Sequence, residues 1–139
     1  MADAGGGAQD GQDRILAQRF TQALASAFAA DTDLVRRGWC INTCCLVEIG
    51  TEQILLTIRD GRPVVAERVP PLASWEFALR ARADAWEALW QPLPKAGWHD
   101  IFALAKRGAM QIEGSLQPLM AHLQYYKDLV TLPRGKGGR

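Results

Sequence analysis

The spacing of apolar positions changes several times along the 139 residues, and each change marks an element. From Asp13, placed to cap a helix, Ile15, Leu16, Phe20, Leu24 and Phe28 recur at spacings near four. This predicts an amphipathic helix to about Ala30. In "GWCINTCCLVEIG" the period drops to two: Trp39, Ile41, Thr43, Cys45, Val47 and Ile49 share one side, with Asn42 and Glu48 opposite, as in a half-buried strand. "EQILLTIRDGRPVVAERV" alternates through Ile54, Leu56 and Ile58, turns at Asp60-Gly61 and resumes with Val64 and Val65, the pattern of a hairpin. Pro63 has no N–H for a ladder hydrogen bond and belongs at a strand start or a sheet edge.

After "PPLAS" the alternation returns in "WEFALRAR", with Trp75, Phe77 and Leu79 on one face and Glu76, Arg80 and Arg82 on a wet one. Helical spacing follows in "DAWEALW", closed by Pro92 and Pro94, and in "GWHDIFALAKRG", where Asp100 can cap and Gly108 can end the helix in a left-handed conformation. Ala109 to Glu113 supplies a short strand with Met110 and Ile112 inward. Ser115 then opens a long helix bearing Leu116, Leu119, Met120, Leu123, Tyr126 and Val130 on one side. The sum is one α+β domain over residues 13–132, a mainly antiparallel five-stranded sheet with helices packed on one face. Residues 1–12 and 133–139 are rich in glycine and polar residues and read as disordered tails.

Charge and composition narrow the function classes. A formal net charge of +1 with intermixed signs lacks the basic footprint of a nucleic-acid binder. No run reaches the roughly 20 apolar residues of a membrane span, and no secretory signal pattern opens the chain, so a cytoplasmic protein is expected. Cys40, Cys44 and Cys45 are odd in number and crowded, which fits free thiols in a reducing compartment better than a disulfide framework. With no Cys-x-x-Cys pair and only the distant His99 and His122 as further ligands, they read as small strand residues, and no metal or other cofactor is expected.

The hairpin at Asp60-Gly61, the strand-to-helix stretch "WEFALRARADAWEALW" and the glycine-framed strand "GAMQIEG", Gly108 to Gly114, together resemble the sterol carrier protein type 2 domain family. The resemblance spans about Asp13 to Leu132, and Ser115 stands where many members carry an acidic residue. It implies a non-enzymatic domain whose sheet and helices enclose an apolar cavity for a sterol, a fatty acid or an acyl chain. The residues expected around that cavity are Trp75, Phe77, Trp86, Trp90, Phe102, Met110, Leu119, Met120 and Leu123.

Physics limits how such a cavity can exist. An empty space of about 300 Å³ costs on the order of 7 kcal/mol, comparable with the stability of a whole domain. It must be occupied by a ligand, each buried methylene contributing about 0.8 kcal/mol, or filled by side chains. Trp75, Trp86, Trp90 and Trp98 are large enough to fill it. The second class of function is therefore an interaction module, dimerising or serving a partner enzyme, with its cavity closed by tryptophans. An enzyme finds little support: His99 and Asp100 are adjacent and cannot face each other on a helix, and no Gly-x-Ser-x-Gly elbow exists.

Overall fold

A computed structural model describes residues 3–29 and 33–134, with side chains from residue 11 on. Helix α1 (Asp3–Ala27) and the short α2 (Asp33–Arg37) precede strands β1 (Thr43–Ile49), β2 (Glu52–Arg59), β3 (Arg62–Val65) and β4 (Phe77–Ala81). Helices α3 (Ala83–Leu89) and α4 (Ile101–Lys106), strand β5 (Met110–Gly114) and helices α5 (Gln117–Ala121) and α6 (Leu123–Val130) complete the domain. The basic tail expected at 133–139 lies, beyond Arg134, outside the described residues.

The five strands pair in the order β3-β2-β1-β4-β5. The sheet is mixed, not mainly antiparallel as expected, because the central strand β1 runs parallel to β4, with Val47 opposite Leu79. Residues 66–76 carry the chain from the β3 edge back across the sheet, so β4 starts at the same end as β1. This crossover is irregular rather than helical, and it packs on the sheet face that the pattern predicted to be wet. Glu76 N–H donates to Cys44 O at 2.8 Å, and Leu46 and Ala78 on that face are buried. Asp60 and Gly61 both have positive φ, 51° and 80°, which is the two-residue turn that matches strand twist. Pro63 lies, as expected, on the edge strand.

The opposite face carries Cys45, Val47, Ile49, Leu56, Ile58, Phe77, Leu79 and Met110 in register, all buried. Leu16, Phe20 and Leu24 of α1 cover it, whereas Ile15 is exposed. Asp13 does not cap α1, which begins ahead of it. Its carboxylate is fully buried and accepts from Thr51 N–H at 2.9 Å and Thr51 Oγ1 at 3.2 Å, tying the helix to the β1–β2 turn. Gly50 in that turn has φ 61° and leaves no room for a Cβ beside the carboxylate.

The single helix expected from Ser115 is broken in two. His122, at φ −133° and ψ 47°, separates α5 from α6. Ser115 caps neither, since its N–H donates at 2.7 Å to Glu76 O and prolongs the β5 pairing, and α5 has no side-chain cap. Asp100 does cap α4, accepting from Ala103 N–H at 2.8 Å. Burial works against its charge, but the Ala103 N–H, Lys127 and His99 prevail and hold its pKa below the usual aspartate value. Asp100→Ala should therefore cost about 1 kcal/mol at neutral pH in urea unfolding. Because the folded pKa is the lower one, that difference is complete above about pH 4 and shrinks as acid protonates the folded carboxyl. A difference that persists unchanged at pH 2 would refute the assignment.

Candidate functional site

The helix-covered core divides along the strands into two ends. At the end marked by Ile49, Ala81 and Met110, helix α3 brings in two tryptophans. Its seven residues begin at Ala83, directly after β4, and Ala83, Trp86 and Leu89 face the sheet because they recur at helical spacing. Trp86 and Trp90 are 0 % and 1 % exposed, with ring centroids 5.7 Å apart, and Phe20 of α1 stacks on Trp90 at 6.0 Å. Neither indole N–H is free. Trp86 Nε1 donates to Glu48 O at 2.9 Å, and Trp90 Nε1 donates to Val130 O at 2.7 Å.

At the other end, marked by Cys45, Phe77 and Gly114, the cover is α5 and α6. Leu119 is fully buried, and Ile112 and Leu123 are half-buried against the core. Phe77 meets Tyr126 edge to face at 5.1 Å, and Tyr126 meets Tyr125 at 5.3 Å. The Tyr125 hydroxyl donates to Gly61 O at 2.6 Å. The Tyr126 hydroxyl is buried with no hydrogen-bond partner among the described residues, an arrangement that costs about 1–3 kcal/mol. Burial pushes this phenol up to about 12; Thr43 pulls the other way without completing a hydrogen bond, and Cys45 and Glu76 add to the rise. Burial likewise raises the Cys45 thiol, so both groups are neutral at physiological pH.

The expected ligand set is thus only partly assembled. Phe77, Leu119 and Leu123 lie at the α5–α6 end, Trp86 and Trp90 fill the opposite one, and Phe102 of α4 is half-buried against the core. Met110, buried, lies with the tryptophan end, at the far end of β5 from Gly114. Met120 is 52 % exposed and Leu116 is 43 % exposed, because the break at His122 turns α5 relative to α6. Trp75 lies before β4 rather than in it, and its ring sits under the Arg80 guanidinium, 5.5 Å away, on the outer face. Arg80 also donates to Glu48 at 2.8 Å and Glu113 at 3.1 Å, so it is already committed to two carboxylates. His99 is largely exposed, and Cys40 is exposed rather than a buried strand residue. Tyr126 is legible in the sequence only as one more position on an apolar stripe, and its unbonded hydroxyl emerges only from the fold.

Open clefts exist on the surface. One of about 400 Å³ is lined by Glu48, Arg80, Arg82, Asp84, Trp98 and Met110 among others, and a second of about 490 Å³ adjoins it at Asp84 and Trp98. Neither includes Leu119, Leu123 or Tyr126, and both carry mixed polar and apolar walls. Among the described residues no cluster of His, Cys, Asp and Glu is arranged to hold a metal ion, and no helix is long and apolar enough to cross a membrane.

With this geometry the chain superposes on a crystal structure of sterol carrier protein 2 with a TM-score of 0.62 at 15% identity, covering 83% of this chain and 93% of that one. The fold is that of sterol carrier protein 2. A ubiquinone synthesis protein described as UbiJ-SCP2 matches at TM-score 0.55 and 13% identity, covering 86% of this chain and 95% of that chain. Sterol carrier protein 2 from Yarrowia lipolytica, in its apo form, matches at 0.52 and 10%, covering 87% and 91%. No protein-family model and no curated protein matches the chain. Within this sterol-carrier fold the tryptophan end is a filled structural core. Trp90→Phe should therefore lower stability by about 2–4 kcal/mol in urea unfolding, through the space left and the lost bond to Val130 O. A loss under about 1 kcal/mol would show that the indole is not a structural plug.

Proposed function

We propose that the protein binds a lipid non-enzymatically at the α5–α6 end of the core, between Phe77, Ile112, Leu119 and Leu123. The observation that carries this reading is the state of α5. It is five residues long, has no side-chain cap, is separated from α6 at His122 and exposes Leu116 and Met120 beside the fully buried Leu119. A helix this short has almost no stability of its own, so little opposes its opening. Its outward movement would withdraw Leu119 and admit an acyl chain or ring system, each buried methylene contributing about 0.8 kcal/mol. The sterol-carrier fold supports the same reading. The domain from Asp13 to Leu132 would act in the cytoplasm, where its free thiols stay reduced.

A second reading is favoured by Trp86 and Trp90. With both rings buried and both N–H groups bonded within the chain, half of the core is closed to ligands. An accessory module for a partner protein, or a homodimer, needs no more than that, and a protein of the same fold serves ubiquinone synthesis.

Native mass spectrometry after incubation with phosphatidylcholine vesicles containing oleyl alcohol separates the two. The lipid reading predicts a retained mass that organic extraction removes. Leu123→Trp, filling a half-buried position at that end, should reduce retention at least tenfold while the far-ultraviolet spectrum and cooperative melting persist. Retention by Leu123→Trp equal to that of the unchanged protein would move the site elsewhere. A dimer that retains nothing would favour the accessory reading.

A further inference from the structure

The polar atoms of the large buried aromatic residues follow a rule with one exception. Trp86 Nε1 reaches Glu48 O at 2.9 Å, Trp90 Nε1 reaches Val130 O at 2.7 Å, and Tyr125 Oη reaches Gly61 O at 2.6 Å. Tyr126 is as buried as they are, at 1 % exposed, and its hydroxyl has no partner among the described residues. Phenylalanine would fill the same space and make the same ring contacts with Phe77 and Tyr125 without leaving a polar atom unbonded, so the hydroxyl serves something other than packing. It sits one helical turn after the break at His122, with Tyr126 N–H donating to His122 O, and against Phe77, whose cross-strand neighbour Gly114 leads into α5. It therefore lies in the end of the core that α5 closes.

We infer that the Tyr126 hydroxyl is the recognition point for a neutral oxygen, that of an alcohol, ketone or ester, on an otherwise apolar ligand entering beneath α5. The inference rests on the lipid-binding reading above and adds the chemical class of the ligand. The surroundings select against a carboxylate. Among the described residues no basic side chain is buried, and the one buried charged side chain, Asp13, is already bonded to Thr51. A carboxylate brought to Tyr126 would give up its hydration without a balancing cation, whereas a neutral oxygen accepts from the phenol, or donates to it, at little cost.

Competition between equimolar oleyl alcohol, oleate and 1-octadecene, read by native mass spectrometry at neutral pH, tests the inference. The unchanged protein should retain the alcohol over the alkene by roughly three- to tenfold, the value of one net hydrogen bond, and over oleate by at least as much. Tyr126→Phe should bring alcohol and alkene to parity while still taking up the alkene, and without ligand it should melt at or above the temperature of the unchanged protein. Thr43→Val should leave the preference intact. An alcohol preference that survives in Tyr126→Phe, one that vanishes in Thr43→Val, or a preference for oleate overturns the inference. A lower melting temperature for ligand-free Tyr126→Phe also overturns it, by showing that the hydroxyl is already satisfied. Uptake of all three lipids without discrimination overturns the inference and leaves lipid binding standing; uptake of none removes both.

Discussion

Two indole N–H groups must find acceptors inside a dry core, and the way they do so organises the rest of the molecule. Trp86 takes the carbonyl of Glu48 on the central strand, and Trp90 takes that of Val130 at the end of α6. The short helix α3 is thereby fastened to the sheet on one side and to the final helix on the other. Leaving either donor unbonded would cost a sizeable part of a small domain's stability. These bonds hold the tryptophan end closed, and they also anchor α6 by its C-terminus, opposite the break that leads into α5.

The other end has the opposite character. Its cover includes a short uncapped helix beside α6, its margin carries exposed Leu116 and Met120, and its interior holds a neutral hydroxyl without a partner among the described residues. In this domain the bonded tryptophans lie at one end, and a short uncapped helix and an unbonded hydroxyl belong to the other. A cavity that stood empty would cost too much to maintain. A core that stays filled until a short helix moves, as proposed for this chain, avoids that cost.

The sequence announced this architecture through local signals and hid what depends on distant partners. The Asp60-Gly61 turn, the Asp100 cap and the left-handed Gly108 were legible because each is settled within a few residues. The parallel pairing of β1 with β4 was not, since alternation reports which face a residue occupies and says nothing of the direction of its neighbour. Helical spacing continued across His122 puts Met120 inward, but the helix breaks there and Met120 is exposed. Strand spacing extended beyond the start of β4 puts Trp75 beside Phe77, but Trp75 precedes the strand and lies under Arg80 on the outer face. Asp13, which reads as a cap, is spent on a turn far along the chain. Tyr126 could not be told from phenylalanine, since what distinguishes it is a partner that is missing.

The most direct test of a core divided in this way is methyl NMR of the isotopically labelled protein titrated with oleyl alcohol. The account predicts shift changes concentrated at Ile112, Leu119 and Leu123, with Ile49 and Leu89 beside the tryptophans unchanged. Changes centred on Ile49 and Leu89, or a spectrum that does not respond to the lipid, would contradict it.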